Sequence, residues 1–223
     1  MGTSISETGV RALTGAGIVA AIVGALWIGP LAWWTFLLVL AYLGGKEAKR
    51  LFALAWPDAS FLSQYVVSRL VVGIPFAALA VMGWREGTFV SAIPLGWFVL
   101  LWTNDTWAYI VGRQWGRHKM APSISPGKSW EGWAGGAVVT VIVAYFVLGL
   151  AWGDSVLTAS HWLGLGVLVS VFGPVGDLME SGLKRKAGVK DSGDVLPGHG
   201  GILDRFDSHA LAAPLAALLL QYF

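Results

Sequence analysis

Between Arg11 and Lys46 the chain carries no charged residue. No other feature constrains the fold as strongly. A helix needs roughly 20 residues to cross about 30 Å of hydrocarbon, so this run is too long for one comfortable crossing and suits two. Gly29-Pro30 divides it, because proline lacks the amide that a helix interior needs and is favoured at a helix start. A cleaved leader would also begin with an apolar run behind a positive charge. Here a second apolar run follows at once and no small-residue cleavage site stands out, so both are read as membrane helices. Further spans are expected at 65–84, 89–112, 132–152, 160–180 and 205–223. The expected fold class is all-α, a polytopic bundle of about seven transmembrane helices.

Composition points the same way. Of 223 residues, 56% are hydrophobic and 13% charged, where a soluble domain carries about a quarter charged residues. Disorder is excluded by the high hydrophobicity. The 13 Trp, 10 Phe and 5 Tyr are too many to hide in a soluble globule of this size. With no cysteine, disulfides, thiolate metal sites and cysteine catalysis are excluded. A net charge of +2 and a pI near 9.0 give no argument for nucleic acid. The placement of charge says more than its sum. In the seven-helix reading, Arg85 alone of the 15 Lys and Arg residues lies on the outer side. The positive-inside rule then puts the N-terminus in the cytoplasm. No repeat or low-complexity tract is visible, so residues 1–223 read as a single integral membrane domain. Its N-terminal helices occupy 1–90 and its catalytic part 91–223. The outer loops are short, so activity is expected at a polar cavity facing the cytoplasm.

Carboxylates inside membrane helices are costly and mark function. Three stretches hold the polar residues of interest. In the first, Asn104-Asp105-Thr106 precedes Ala108, Tyr109 and Gly112, with Asp105, Ala108, Tyr109 and Gly112 on one helix face. Polar packing between helices would explain this stretch equally well. The second, Ser123 to Gly132, follows Arg113, Arg117, His118 and Lys119. Two prolines and a glycine make it a loop, and Ser129 suits a helix start. Its small hydroxyl residues and Lys128 suit phosphate oxygens, but it lacks P-loop spacing. The third runs from Asp177 to Asp207. Asp177, Glu180, Ser181 and Lys184 form a helical stripe. Lys184-Arg185-Lys186, Lys190-Asp191, the turn Pro197-Gly198-His199-Gly200-Gly201 and Asp204-Arg205-Phe206-Asp207 follow. Carboxylates from two helix ends suit a hard cation such as Mg²⁺, with phosphates as further ligands. A juxtamembrane salt-bridge cluster would explain the basic run but not the acid at Asp177. His199, between glycines, can approach a ligand closely, either to contact a phosphate or to act as an acid. His209 reads as a packed histidine.

The third stretch resembles the signature of the phosphatidate cytidylyltransferases, also called CDP-diacylglycerol synthases. The matching residues are Ser181, Leu183, Lys184-Arg185, Lys190-Asp191, Pro197, His199-Gly200-Gly201, Asp204-Arg205 and Asp207. Asn104-Asp105-Thr106 and Ser125-Pro126 with Lys128, Trp130, Glu131 and Gly132 are similar to the same family, although Gly127 stands for a usual Lys and Ser129 for a usual Thr. The likeness covers about the last 120 residues well and the front half by pattern alone. It implies the reaction of CTP with phosphatidate to give CDP-diacylglycerol and pyrophosphate, at a prokaryotic cytoplasmic membrane. It also implies Mg²⁺ on Asp177 and Asp204, with a K⁺ neighbour, and Asp207 and Glu180 beside them. Lys184, Arg185, Lys190 and Arg205 would hold phosphates. Ser125 and Lys128 would close over CTP, Glu131 and Ser181 would meet substrate, and Asp105 would line the cavity. Asp204, near the membrane surface, is expected to be replaceable by Asn with loss of turnover but little loss of fold. Phosphatidate in the bilayer, CTP, membrane lipids and a second copy of the chain are the expected partners. Three alternatives remain open: a cytidylyltransferase for an ether-lipid phosphate, a CTP-dependent polyprenol kinase, and a cation-coupled transporter. Transporters tend to show internal repeats, and none is found here.

Overall fold

The structure, a computed structural model, describes residues 7–150, 152 and 156–222. Its helices are α1 (Glu7–Ile28), α2 (Pro30–Ala55), α3 (Phe61–Met82), α4 (Ala92–Trp115), α5 (Trp130–Ile142), α6 (Ala159–Lys186), α7 (Leu203–Phe206) and α8 (His209–Tyr222). A π-helical segment, Val143–Gly149, follows α5 directly. Two hairpins interrupt the helices, β1 (Trp84–Arg85) with β2 (Thr88–Phe89), and β3 (Lys119–Ala121) with β4 (Ser125–Ser129). Among the described residues, four helical stretches are long and apolar enough to cross a membrane: Thr8–Ile28, Phe61–Met82, Trp130–Gly149 and Ala159–Lys186. The chain is an all-α integral membrane protein.

Helices fall where the apolar runs are, and their boundaries have local causes. Gly29 takes φ 128, a conformation that favours glycine, and Pro30 opens α2 at a position where its missing amide costs nothing. The span expected from residue 89 starts later, at Ala92, because Thr88 and Phe89 pair back onto Arg85 and Trp84 through a tight turn with positive φ at Glu86 and Gly87. Helices α2 and α4 have the length of a crossing, but Lys46, Glu47, Lys49 and Arg50 in one and Asn104 and Asp105 in the other lower their hydropathy. The span expected at 205–223 is shorter than that. Its helix starts at His209, because the Asp207 carboxylate accepts from the Ser208 amide at 2.6 Å and competes with helical bonding there. Ala151 and Phe223, inside two expected spans, lie outside the described residues.

The chain divides into two compact units, each discontinuous in sequence. One comprises Met1–Gly73 with Leu183–Phe206, so most of the signature region groups with the N-terminal helices. Ile22, Trp33, Leu37 and Leu51 are among its buried residues. The other comprises Ile74–Gly182 with Asp207–Phe223. Small residues bring α4 and α5 together there. A Cβ at Gly136 would lie 2.7 Å from the Asn104 carbonyl, and one at Gly132 would lie 2.7 Å from that of Ala108. Close backbone approach of this kind favours packing within lipid. Pro174, inside α6, cannot donate to the Ser170 carbonyl. The Trp133 indole donates to that oxygen instead, at 2.8 Å. His209 is buried against Phe98 and Trp97, with ring centroids 5.1 and 6.3 Å away, as a packed histidine should be.

Candidate active site

Within the first unit, the signature folds into a loop around two buried carboxylates. Helix α6 ends with Lys184-Arg185-Lys186 in its last turn, where cations suit the helix dipole. Gly188 follows at φ 70. The Gly188 amide donates to Arg185 at 3.1 Å and the Val189 amide to Lys184 at 3.0 Å, the paired bonds that close a helix at a left-handed glycine. The chain then turns through Leu196–Gly200, whose amide and carbonyl meet at 2.9 Å. Gly198 and Gly200 take φ 71 and 82, a region of backbone conformation that favours glycine. Thr14 on α1 donates to the Pro197 carbonyl at 2.9 Å, and the half-buried His199 ring lies against Gly15.

Asp204 is the hub of this loop. Its Oδ2 accepts from the Ser192 amide at 2.8 Å, the Ser192 hydroxyl at 2.9 Å and the Gly201 amide at 2.8 Å. Its Oδ1 takes the Lys184 ammonium at 2.5 Å. Burial alone pushes the Asp204 carboxyl up, but the Lys184 hydrogen bond and charge, with the Gly201 and Ser192 amides, outweigh it and hold the group below the usual carboxylate range. A Cβ at Gly200 would sit 2.6 Å from Oδ2, which accounts for the glycine. The expectation that Asp204 can be exchanged with little loss of fold is therefore revised, since four hydrogen bonds of the loop end on its carboxylate. Lys184, expected to hold phosphate, is buried as the partner of Asp204, whereas Arg185, Lys190 and Arg205 are exposed.

Sequence reading overlooked one residue here. Glu47, buried on α2, accepts from the Ile202 amide at 3.0 Å, the Leu203 amide at 3.0 Å and the Ser192 hydroxyl at 2.9 Å. It stands in sequence among the basic residues Lys46, Lys49 and Arg50, a setting that does not single it out. The rule that an acid in an apolar helix marks function would have found it.

Within the second unit, Asp177 accepts from Ser181, one turn on, at 3.1 Å, and pairs with Lys128 at 2.5 Å. Asp207 lies within electrostatic range of Asp177, Glu180 and Asp105. Lys128 reaches Asp177 from the second stretch, which is a bulged hairpin and not the expected loop. Ser129 caps α5 as predicted, its hydroxyl accepting from the Gly132 amide at 3.2 Å. Glu131, expected to meet substrate, receives the Arg117 and His118 amides at 3.1 and 3.2 Å and the His118 ring at 2.5 Å. It thereby fixes the base of the hairpin, while Ser125 opens β4.

The donor chemistry suits a hard cation. All the candidate ligands are carboxylate oxygens, and Asp177 and Asp204 each already attract an ammonium. Among the described residues, no three His or acidic side chains form a complete cage. Mg²⁺ does not need one, because it binds through one or two carboxylates with substrate phosphates and water.

Known proteins agree on the class of chemistry. A phosphatidate cytidylyltransferase of Staphylococcus haemolyticus (strain JCSC1435) is 50% identical over 123 residues, which is 55% of this chain and 46% of that protein. Proteins of the same name from Staphylococcus aureus (strain COL) and Staphylococcus epidermidis (strain ATCC 35984) are 48% identical over 123 residues and 49% identical over 125, with the same shares covered. The matched segment spans about half the length of these curated relatives. Residues 84–223, which carry the carboxylate cluster, the hairpin and the whole signature loop, match the cytidylyltransferase family, and the chain belongs to it.

Proposed function

We propose that this chain is a phosphatidate cytidylyltransferase. A phosphatidate phosphate oxygen attacks the α-phosphorus of CTP, the bond from that phosphorus to the oxygen bridging to the β-phosphate breaks, and pyrophosphate leaves. The observation that carries this reading is the signature loop, from Lys184 to Asp204, folded around the Asp204 carboxylate in a region that matches the family. The phosphatidate phosphate is already a nucleophile, so the protein's contribution is positioning and charge neutralisation. Asp204 in the signature loop, and Asp177 with Glu180 and Asp207 in electrostatic range of one another, are the carboxylates that would serve Mg²⁺, with K⁺ as a second cation. When bound, Mg²⁺ supplies Lewis-acid stabilisation of charge on the phosphates. Lys128, paired with Asp177 in the structure, would bind a CTP phosphate together with Ser125. Arg185, Lys190 and Arg205, exposed on and after the last turn of α6, bind phosphate oxygens, with Arg suited to bidentate contact. Lys184 keeps Asp204 ionised and aimed. His199, within the loop and against Gly15, would contact a phosphate or act as an acid. The chain crosses the membrane about seven times with its N-terminus and active site on the cytoplasmic side of a bacterial inner membrane, as the distribution of Lys and Arg supports.

The test is purified full chain with labelled CTP, Mg²⁺ and either phosphatidate or its ether-linked counterpart. CDP-lipid from phosphatidate, with turnover per folded molecule lost in Asp204→Asn, is the expected result. Product from the ether lipid alone would move the assignment to that substrate. No CDP-lipid from any lipid phosphate would overturn the reading.

A further inference from the structure

We infer that Glu47 is a positioning residue for the proposed reaction, setting the Asp204 carboxylate from outside the segment that matches the family. The family match begins at residue 84, and nothing in it assigns a role to α2. Yet Glu47 is 6% exposed on that helix, and among the described residues its side-chain hydrogen bonds go to the signature loop. Oε1 accepts the Ile202 amide, while Oε2 accepts the Leu203 amide and the Ser192 hydroxyl. These amides belong to the two residues just before Asp204. Ser192, 1% exposed, stands between the two acids, with its hydroxyl 2.9 Å from Glu47 and 2.9 Å from Asp204. One hydroxyl carries one proton, so the acids compete for it and the state of one acts on the other.

The glycines around Glu47 fit this role. A Cβ at Gly193 would lie 2.7 Å from Oε1, and one at Gly201 would collide with both Oε2 and the Ser192 hydroxyl. Gly44, one turn before Glu47, lets Leu203 and Ile202 pack directly on α2, with a Cβ there 3.2 Å from the Leu203 side chain. The loop is thus built to receive a carboxylate from α2. The consequence is a division of labour. Lys184 sets the charge of Asp204, and Glu47 sets its position through Ser192 and the two amides.

This inference rests on the proposed reaction for its kinetic arm alone. Glu47→Gln keeps the shape but leaves one acceptor oxygen where there were two, so at least one donor is orphaned. In the full chain in detergent, amide hydrogen exchange at Ile202 and Leu203 is expected to quicken about tenfold or more, while exchange in α4 and α5 stays unchanged. Turnover per folded molecule is expected to fall about ten- to a hundredfold, with KM for CTP little changed. Ser192→Ala keeps the two amide bonds and removes the link between the acids. It should lower kcat similarly without the exchange change, and combining both substitutions should cost less than the product of the two. Unchanged exchange at Ile202 and Leu203 in Glu47→Gln, or unchanged kcat per folded molecule in both variants, would overturn the role. An inactive wild-type chain would sink the reaction instead, and the exchange measurement would still decide whether Glu47 holds the loop.

Discussion

Replacing Lys184 by Met isolates the pair on which the signature loop is centred. The side chains of Lys184 and Asp204 are 9% and 5% exposed, with nitrogen and oxygen 2.5 Å apart. Removing one partner of a buried ion pair typically costs about 3–5 kcal/mol, because the other charge is left uncompensated. Here Oδ2 keeps its three donors, from Ser192 and Gly201, and only Oδ1 is stripped, so the cost should sit near the lower end, about 3 kcal/mol. For a chain of this size each kcal/mol moves Tm by about 2–4 °C, giving a loss of about 6–12 °C at neutral pH. The pH dependence has a definite sign. In the wild type the folded Asp204 carboxyl is held below its unfolded value, so its stabilisation is complete above about pH 3.9 and fades as pH falls through the lower, folded value. Without Lys184, burial dominates and the folded carboxyl rises. The variant is then penalised at neutral pH and relieved as the acid protonates, so the gap in Tm should narrow below about pH 4. Thermal unfolding of the detergent-solubilised chain, followed by tryptophan fluorescence from pH 3 to 7, measures both. A neutral-pH Tm within about 2 °C of wild type, or a gap that widens in acid, would refute the reasoning.

Two further outcomes follow from the geometry. Lys128→Ala should raise KM for CTP several-fold with a smaller change for phosphatidate, since Lys128 is the hairpin's cation nearest the acids; initial-rate kinetics with each substrate varied decide this, and an effect confined to phosphatidate would place the hairpin on the lipid side. Gly200→Ala should lower Tm by at least about 2–4 °C, because its positive φ costs about 1–2 kcal/mol with any side chain and its Cβ would press on Asp204 Oδ2. Gly17→Ala, in open space on α1, is the comparison that should leave Tm unchanged or slightly raised.

How much of this was legible in the sequence depends on the range of the interaction responsible. Helix positions were legible because a charge-free run has few alternatives in lipid, and because Gly29-Pro30 and Ser129 act on their own neighbours. The hairpins were not. Pairing of Lys119 with Ser129 joins strands that lack the alternation by which sheets are recognised. Asp177, Glu180 and Asp207 share one stretch of sequence and Asp105 lies in another; that Asp207 comes within electrostatic range of all three was not legible from either. What the signature loop does with its acids was decided only in three dimensions. Asp204 could be named from the motif, but its hydrogen bonds from Ser192, Gly201 and Lys184 could not.

The amino-acid sequence by itself determined a chain of membrane helices, the sites of its helix breaks, and the residues able to handle a cation and phosphates. Each of those follows from local chemistry, the cost of a charge in hydrocarbon or the missing amide of proline. Tertiary structure alone decided that Glu47 on α2 meets a loop more than a hundred residues away, that Lys184 serves Asp204, and that Trp133 satisfies the carbonyl opposite Pro174. Hydrogen bonds between distant segments leave no periodicity to read, because the groups that need them become visible as unsatisfied only once the backbone has placed them out of reach of water.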